Sequence, residues 1–248
     1  MTIDVDHAWL MSDLHLDAGR PELTGILFRF LRGAARRAQA LFLLGDVFEA
    51  WIGDDDDAPL PAAVAAELRA VAEAGTTVYF LHGNRDFLLG AAYARRAGLT
   101  LLPDPTHLRL GGVPTVLCHG DALCLDDRAY QRWRAQARDP AWQAQLLARP
   151  LAERRALARQ LRAESREAQR RLRERGLPWA DADPAAVLAL LQRQGAARLI
   201  HGHTHRPAEH EVRLPGGRRA ERWVLADWGE AGEALEITPD GAGRRHRL

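Results

Sequence analysis

Five times in this 248-residue chain a short apolar run stops on a polar cluster: AWLMSDLH (8–15), ALFLLGD (40–46), TVYFLHGNRD (77–86), TVLCHGD (115–121) and ARLIHGHTH (197–205). Runs of this length and continuity read as strands buried on both faces rather than as helices. The stretches between the earlier runs carry helical periodicity instead: residues 21–39 with Pro21 in the first turn, about 61–75, and 86–98. Strands alternating with helices predict an α/β fold with parallel pairing. In an open sheet of that kind ligands bind beyond the carboxyl ends of the strands, so the five clusters are expected side by side where one sheet ends.

The clusters are rich in groups that bind cations. Asp13 and His15 are two positions apart, and residues i and i+2 of a strand leave it on the same face. Asp46, Asn84 with Arg85, His119 with Asp121, and His201, His203 and His205 stand at the other run ends. Each has an ordinary reading alone, since Gly-Asp is common turn chemistry and a lone histidine is more often a satisfied core residue. Together they describe one cleft. Oxygen and imidazole donors without thiolate suit Mn, Fe or Zn rather than a sulfur-rich structural zinc site.

The pattern changes after residue 126. Residues 127–177 show no strand periodicity, only Arg- and Ala-rich helical sequence broken at Asp139-Pro140 and at Pro150. This predicts a helical segment inserted between core halves 1–126 and 178–248. Leu161, Ser165, Ala168 and Leu172 share one helical face, with Trp133, Trp142 and Trp179 nearby. That stripe either lines a groove or packs the segment onto the core. All 34 basic residues are arginine, and between Arg128 and Arg175 fourteen arginines stand against five acids, an excess of nine. The formal net charge is only +1, so the remainder of the chain is acidic. A basic segment of this kind suits an anionic partner or a solvated face laced with ion pairs. The acidic run GDDDD (53–57) reads as a solvated loop, and HLRLGGVPTVL (107–117) as a hairpin turning at Gly111-Gly112. Strand patterns resume after a helix at about 184–195, through residues 222–228 and 233–238.

With 47% hydrophobic residues the chain has ample core material, and no apolar run approaches the length needed to span a bilayer. Met1 runs almost directly into the first strand, without the n- and h-regions of a signal peptide. Two cysteines, Cys118 and Cys124, exclude a disulfide scaffold and suit a reducing cytoplasm; Cys118 is expected to be a small core residue.

Taken in order, the clusters D-x-H (Asp13, His15), G-D (Asp46), G-N-R-D (Asn84, Arg85), H (His119) and G-H-x-H (His203, His205) resemble the calcineurin-like metallophosphoesterases. The resemblance implies an α/β fold with a β-sandwich core flanked by helices, and a dinuclear site. Asp13, His15, Asp46 and His205 would hold one cation; Asp46, Asn84, His119 and His203 would hold the second. Two divalent cations against two carboxylates leave net positive charge, which favours phosphate. Position 85 is often histidine in this superfamily. Arginine there cannot act as an acid near neutral pH but binds phosphate bidentately, which suits a leaving group that is itself a phosphate.

The longer strings DVFEAWIGDDD, LHGNRDFLLG, LCHGDALCLDDRAYQ and LIHGHTHRPAEH are similar to the UDP-2,3-diacylglucosamine pyrophosphohydrolase family of lipid A synthesis. That resemblance runs along most of the chain, including the helical insertion. It implies two Mn²⁺ ions per chain and attack of hydroxide on the α-phosphorus, giving UMP and 2,3-diacylglucosamine 1-phosphate. It also implies a helical lid whose stripe takes the acyl chains. Asn84, Arg85 and His203 would act at the phosphates, as catalytic and as binding residues, and Asp127 and Ser165 at the sugar phosphate. Gln169 stands where the family has Asn, and Leu172 where it has Lys, with Arg171, Arg173 and Arg175 adjacent. Besides the substrate, the implied partner is the anionic cytoplasmic face of the inner membrane, reached peripherally through the basic segment. No nucleic-acid-binding signature accompanies the arginines. A phosphoesterase for another nucleotide diphosphate or phosphodiester shares the metal motifs, and the insertion separates it from this reading.

Overall fold

The computed structural model describes residues 3–175 and 181–248. Its first strands, β1 (Asp4–Val5) and β2 (Ala8–Met11), lead into α1 (Pro21–Arg32), which buries Leu23, Leu27, Phe30 and Leu31 along one face. Helix α1 stops at Arg32 instead of running to residue 39, because Gly33 interrupts it and a short 3-10 turn, Ala34–Arg37, follows. Then β3 (Ala40–Leu43), α2 (Pro59–Glu73), β4 (Thr77–Leu81) and α3 (Ala91–Ala97) continue the alternation. Helix α3 is shorter than its sequence pattern predicts, since Asp86–Gly90 is turn structure held by side chains of the cleft. β5 (Leu99–Leu102) precedes a hairpin of β6 (Thr106–Leu110) and β7 (Val113–Leu117), closed by Gly111 and Gly112 at positive φ.

Three helices come next without an intervening strand: α4 (Arg128–Ala137), α5 (Pro140–Leu147) and α6 (Leu151–Glu174). Asp127 and Asp139 start the first two by accepting from the Tyr130 and Trp142 backbone N–H groups at 2.9 and 2.8 Å. The side chains of Gln169, Leu172 and Arg173, and all of Trp179, lie outside the described residues. The chain ends with α7 (Pro184–Gln194), β8 (Arg198–His201), β9 (Ala208–Arg213), β10 (Arg219–Val224), β11 (Glu233–Ile237) and β12 (Gly243–Arg247).

The strands form two six-stranded sheets, not the single sheet expected from the alternation: β12-β11-β2-β3-β4-β5 and β1-β6-β7-β8-β10-β9. β2 to β5 are parallel neighbours in the first sheet, and β7, β8 and β10 in the second. Ala8, Leu10, Ala40 and Phe42 of the first sheet meet Leu108, Leu117, Ile200 and Trp223 of the second between the layers. Trp9, Met11, Leu41 and Leu43 point the other way, onto α1, α2 and α3. The outer face of the second sheet packs Val116, Cys118 and Leu199 against α7. Alternate side chains thus enter two different apolar layers, which is why the runs read as continuous. Cys118 and Cys124 are both buried free thiols, Cys118 within this core as expected.

The consequence for the cleft is topological. Three cluster-bearing strands, β2, β3 and β4, are adjacent in one sheet, and two, β7 and β8, are adjacent in the other. Their carboxyl ends open at the same end of the sandwich, so the clusters face one another across the gap between sheets.

Candidate metal centre

The loops that leave these strands are laced together by backbone hydrogen bonds: Asp13 N–H to Gly45 O at 3.0 Å, His15 N–H to Asp46 O at 2.9 Å, and Gly202 N–H to His119 O at 2.9 Å. Two close approaches demand glycine. A Cβ at Gly202 would stand 2.2 Å from Asp13 Oδ2, and one at Gly83 would stand 2.1 Å from Asp46 Oδ1. Among the described residues, the non-glycine positions at positive φ are Asp13, His15, Asp46, His203 and His205, with φ between 48° and 66°. Each left-handed position costs about 1–2 kcal/mol, and such strain gathers at functional sites. Here it turns five side chains inward over the sandwich end.

The seven residues expected as ligands come together. Asp13, fully buried, accepts from the His203 backbone N–H at 2.8 Å through Oδ2; its Oδ1 lies 3.3 Å from His205 Nε2 and 3.9 Å from His15 Nε2. Asp46 Oδ1 accepts from the Arg85 backbone N–H at 2.8 Å and faces His119 Nε2 at 3.7 Å, while Oδ2 is 4.0 Å from His15 Nε2. Asn84 Oδ1 stands 2.9 Å from both His119 Nε2 and His203 Nδ1. Asp13, His15 and His205 form one group of donors, and Asp13, Asp46 and His119 another.

The electrostatics reflect the crowding. Burial alone would raise the Asp13 carboxyl, yet the neighbouring His205, His119 and His15 imidazoles hold it well below the usual carboxylate range. Burial would lower His119, but the Asp46, Asp13 and Asp121 carboxylates outweigh it and push the ring up to about 9. His203 goes the other way, pushed down to about 4 by burial and by the charge of His119.

The donor chemistry fits divalent cations. His119 Nδ1 lies 2.9 Å from the Leu44 carbonyl, which can only accept, so Nδ1 carries a proton and Nε2 is the nitrogen from which a bound cation would displace the second proton that the carboxylates favour. Nε2 faces the Asn84 oxygen, and the buried Asp13 Oδ1 has no hydrogen bond. Buried acceptors turned on one another are costly unless a proton or a cation stands between them. Carboxylate, imidazole and amide oxygen are together the donors of a Mn-, Fe- or Zn-type site.

Two residues from the same motifs serve other ends. His201 donates from Nδ1 to Gly202 O at 2.8 Å and accepts from Arg222 Nε at 2.9 Å; burial and that guanidinium push it down to about 3, so it stays neutral. Asp121 accepts from Tyr130 Oη at 2.7 Å and Arg134 Nε at 2.9 Å, tying α4 to the sandwich.

Other contributors escaped the sequence reading. Asp86, fourth residue of GNRD, accepts from the Gly83 and Val47 N–H groups at 2.8 Å each and so clamps the loops after β3 and β4. Burial and the neighbouring Asp46 push its carboxyl up to about 6. Its only sequence signal was its place beside Asn84 and Arg85. Glu49 approaches His15 Nδ1 at 3.2 Å. GDDDD is a loop that stays exposed at Asp55 and Asp57 but is also tied down: Asp54 accepts from Gly90 and Tyr93 N–H groups, Asp55 pairs with buried Arg154, and Asp56 and Asp57 pair with Arg155. Part of the arginine excess of α6 is therefore matched by acids of the sandwich.

A cavity of about 780 Å³ opens from the cluster. His15, Asp46, Asn84, Arg85, His203 and His205 line one end, and Trp51, Phe87, Trp133, Trp142, Leu157 and Leu161 line much of the rest. Trp133 meets Trp142 edge to face at 5.3 Å. Asp127, Ser165 and Ala168 also face it, and Ser165 Oγ is 3.4 Å from an Arg85 terminal nitrogen. Among the described residues no helix is long and apolar enough to cross a membrane.

A UDP-2,3-diacylglucosamine hydrolase of Xanthomonas campestris pv. campestris is 53% identical over 235 residues, covering 93% of this chain and 95% of that one. One of Stenotrophomonas maltophilia is 50% identical, covering 93% and 94%. Among solved structures, a novel archaeal phosphodiesterase superposes with a TM-score of 0.50 at 10% identity, covering 98% of this chain and 99% of that one. Vacuolar protein sorting 29 of Cryptosporidium parvum gives 0.50 at 13% identity, covering 99% and 97%. These two share the sandwich fold. The sequence signature of the calcineurin-like phosphoesterases spans residues 7–207, from before β2 to beyond β8, and the chain belongs to that family.

Proposed function

We propose that this protein hydrolyses the pyrophosphate bond of UDP-2,3-diacylglucosamine, releasing UMP and 2,3-diacylglucosamine 1-phosphate, with two Mn²⁺ ions in the cleft. The observation that carries the reading is that one continuous cavity is polar and cation-ready at one end and walled by tryptophan and leucine at the other. A diphosphate bearing acyl chains has that division of chemistry. The name borne by relatives at 50–53% identity agrees with it.

Asp13, His15, Asp46 and His205 would hold one cation; Asp46, Asn84, His119 and His203 would hold the other. Bound there, divalent cations supply charge to phosphoryl oxygens and a nucleophile from water at neutral pH. Arg85 Nε is buried without a hydrogen bond, 3.8 Å from Asp46 Oδ2, and so is free to donate to a phosphate oxygen. The departing sugar phosphate has a second pKa of about 6 and leaves without a proton donor. Asp127 and Ser165 face the sugar-phosphate end, with Gln169 further along α6.

In this reading residues 127–177 are a lid on a core of residues 1–126 and 178–248, and the acyl chains lie along Trp133, Trp142 and Leu161. Arg128, Arg132, Arg149, Arg159 and Arg166 are exposed on that segment. They would draw the protein to the anionic cytoplasmic face of the inner membrane, at about 1 kcal/mol per residue close to the surface.

The test is incubation with UDP-2,3-diacylglucosamine and Mn²⁺, following UMP. Release that stops on chelation and returns with Mn²⁺ supports the reading. Turnover of bis(p-nitrophenyl) phosphate but not of the lipid overturns it in favour of a soluble phosphoester. Failure to sediment with anionic vesicles at low salt removes the membrane attachment.

A further inference from the structure

Glu49 follows β3 in the chain, and its carboxylate meets two distant elements. Oε2 lies 3.2 Å from His15 Nδ1, and Oε1 accepts from Arg162 of α6. Its backbone has little freedom: Glu49 N–H donates to Leu16 O at 3.1 Å, and Leu16 pairs with Phe48 in a short parallel bridge. His15 and Glu49 therefore ride on two loops joined in fixed register. His15 is itself at φ 48°, a conformation its own chain does not favour, so its ring orientation depends on what surrounds it.

A ligating imidazole is oriented by the partner of its other nitrogen. The Glu49 carboxylate stands at ion-pair distance from His15 Nδ1, 3.2 Å away and not aligned as a hydrogen bond, while Nε2 faces Asp13 Oδ1, Asp46 Oδ2 and His205 Nε2, at 3.9, 4.0 and 3.5 Å. Asp227 stands in a similar relation to His205, 3.5 Å from its Nδ1, but is carried by the segment after β10. Glu49 differs because Arg162 of α6 holds its second oxygen.

We infer that Glu49 is a positioning residue that couples the seating of α6 to the orientation of His15, an inference that rests on the proposed metal site. With Arg162 in place, the carboxylate is held where it directs His15 Nε2 into the cleft. With α6 displaced, Glu49 loses its second anchor and His15 loses the fixed carboxylate beside its Nδ1. Closure of the helical segment and readiness of the cation site are then one event.

Calorimetric titration of the purified full-length protein with Mn²⁺, without substrate, reads this directly. Glu49→Gln is expected to weaken Mn²⁺ binding about 10–100-fold. Arg162→Met should weaken it several-fold, and the double variant should bind no more weakly than Glu49→Gln, since Arg162 acts through Glu49. Asp227→Asn provides the contrast, with the Arg162→Met loss persisting in its background. In turnover of the lipid, Glu49→Gln should lower kcat with KM little changed, whereas a mere anchor for α6 would raise KM. Circular dichroism verifies the fold of each variant. Wild-type affinity in Glu49→Gln, or full additivity with Arg162→Met, overturns the inference alone. A wild-type protein that takes up no Mn²⁺ overturns the metal site beneath it.

Discussion

The loops after β3 and β4 meet most closely at Gly83, and Gly83→Ala tests whether that approach matters. The added Cβ would lie 2.1 Å from Asp46 Oδ1 and 2.3 Å from Asp46 N, where ordinary contact begins at 3.4 Å. The shortfall of about 1.3 Å has no flexible side-chain end to absorb it. Asp46 Oδ1 is held by the Arg85 N–H and Gly83 N–H by Asp86, both at 2.8 Å, while β3 and β4 are paired in one sheet. The loops must part. Overpacking of this kind costs about 1–3 kcal/mol, which in a chain of this size lowers Tm by a few to about ten degrees. The functional loss should be larger, because misplacing a reacting group by about 1 Å can cost about 100-fold in rate. The assay is kcat on the lipid diphosphate beside Mn²⁺ titration and thermal unfolding. Gly229→Ala, with open space around its Cβ, is the control and should match wild type. A Gly83→Ala protein with wild-type Mn²⁺ affinity and turnover would refute the placement of Asp46 in the reaction.

Other variants probe the scaffold. Burial beside Asp121 pushes the Asp104 carboxyl up to about 6 from an ordinary 3.8, so the folded state prefers it protonated and stability falls as pH rises from about 4 to 6. Asp104→Asn should remove that slope and add up to about 3 kcal/mol at pH 7; denaturation midpoints identical to wild type at pH 4 and pH 7 would dismiss the idea. Arg154, 4% exposed, donates to Ile52 O and Asp55, so Arg154→Met should cost about 2 kcal/mol. It should also raise KM for the lipid more than it lowers kcat, and unchanged kinetics would show that this pair does not seat α6. Gly25 lies inside α1, where a Cβ meets only Arg29 at 3.7 Å, so Gly25→Ala should stabilise by about 1 kcal/mol; a lowered Tm would contradict that.

What could be read from the sequence was local. A strand of alternating two-sided burial, a Pro or Asp opening a helix and a Gly-Gly turn are set by neighbours a few residues away. β2, β3, β4, β7, β8 and most helices were therefore legible. So was the candidate donor set, because each donor sits at a strand end where the pattern breaks. The four strands without a sequence signal, β1, β5, β9 and β12, are the four sheet edges. Their state comes from the strand they pair with, and they carry weak patterning of their own. Division into two sheets left no mark in the alternation itself and was expected only through the family resemblance, since a run buried between a sheet and a helix layer has the same composition in either arrangement. The partners of the acidic run were hidden for the same reason: Asp55 finds Arg154 ninety-nine positions away. Sequence by itself determined which chemical groups stand at the strand ends. Tertiary structure alone decided that they face one another across two sheets, on left-handed backbone, with Asp86 and Glu49 behind them, because those relations are made by packing between segments with no local mark of each other.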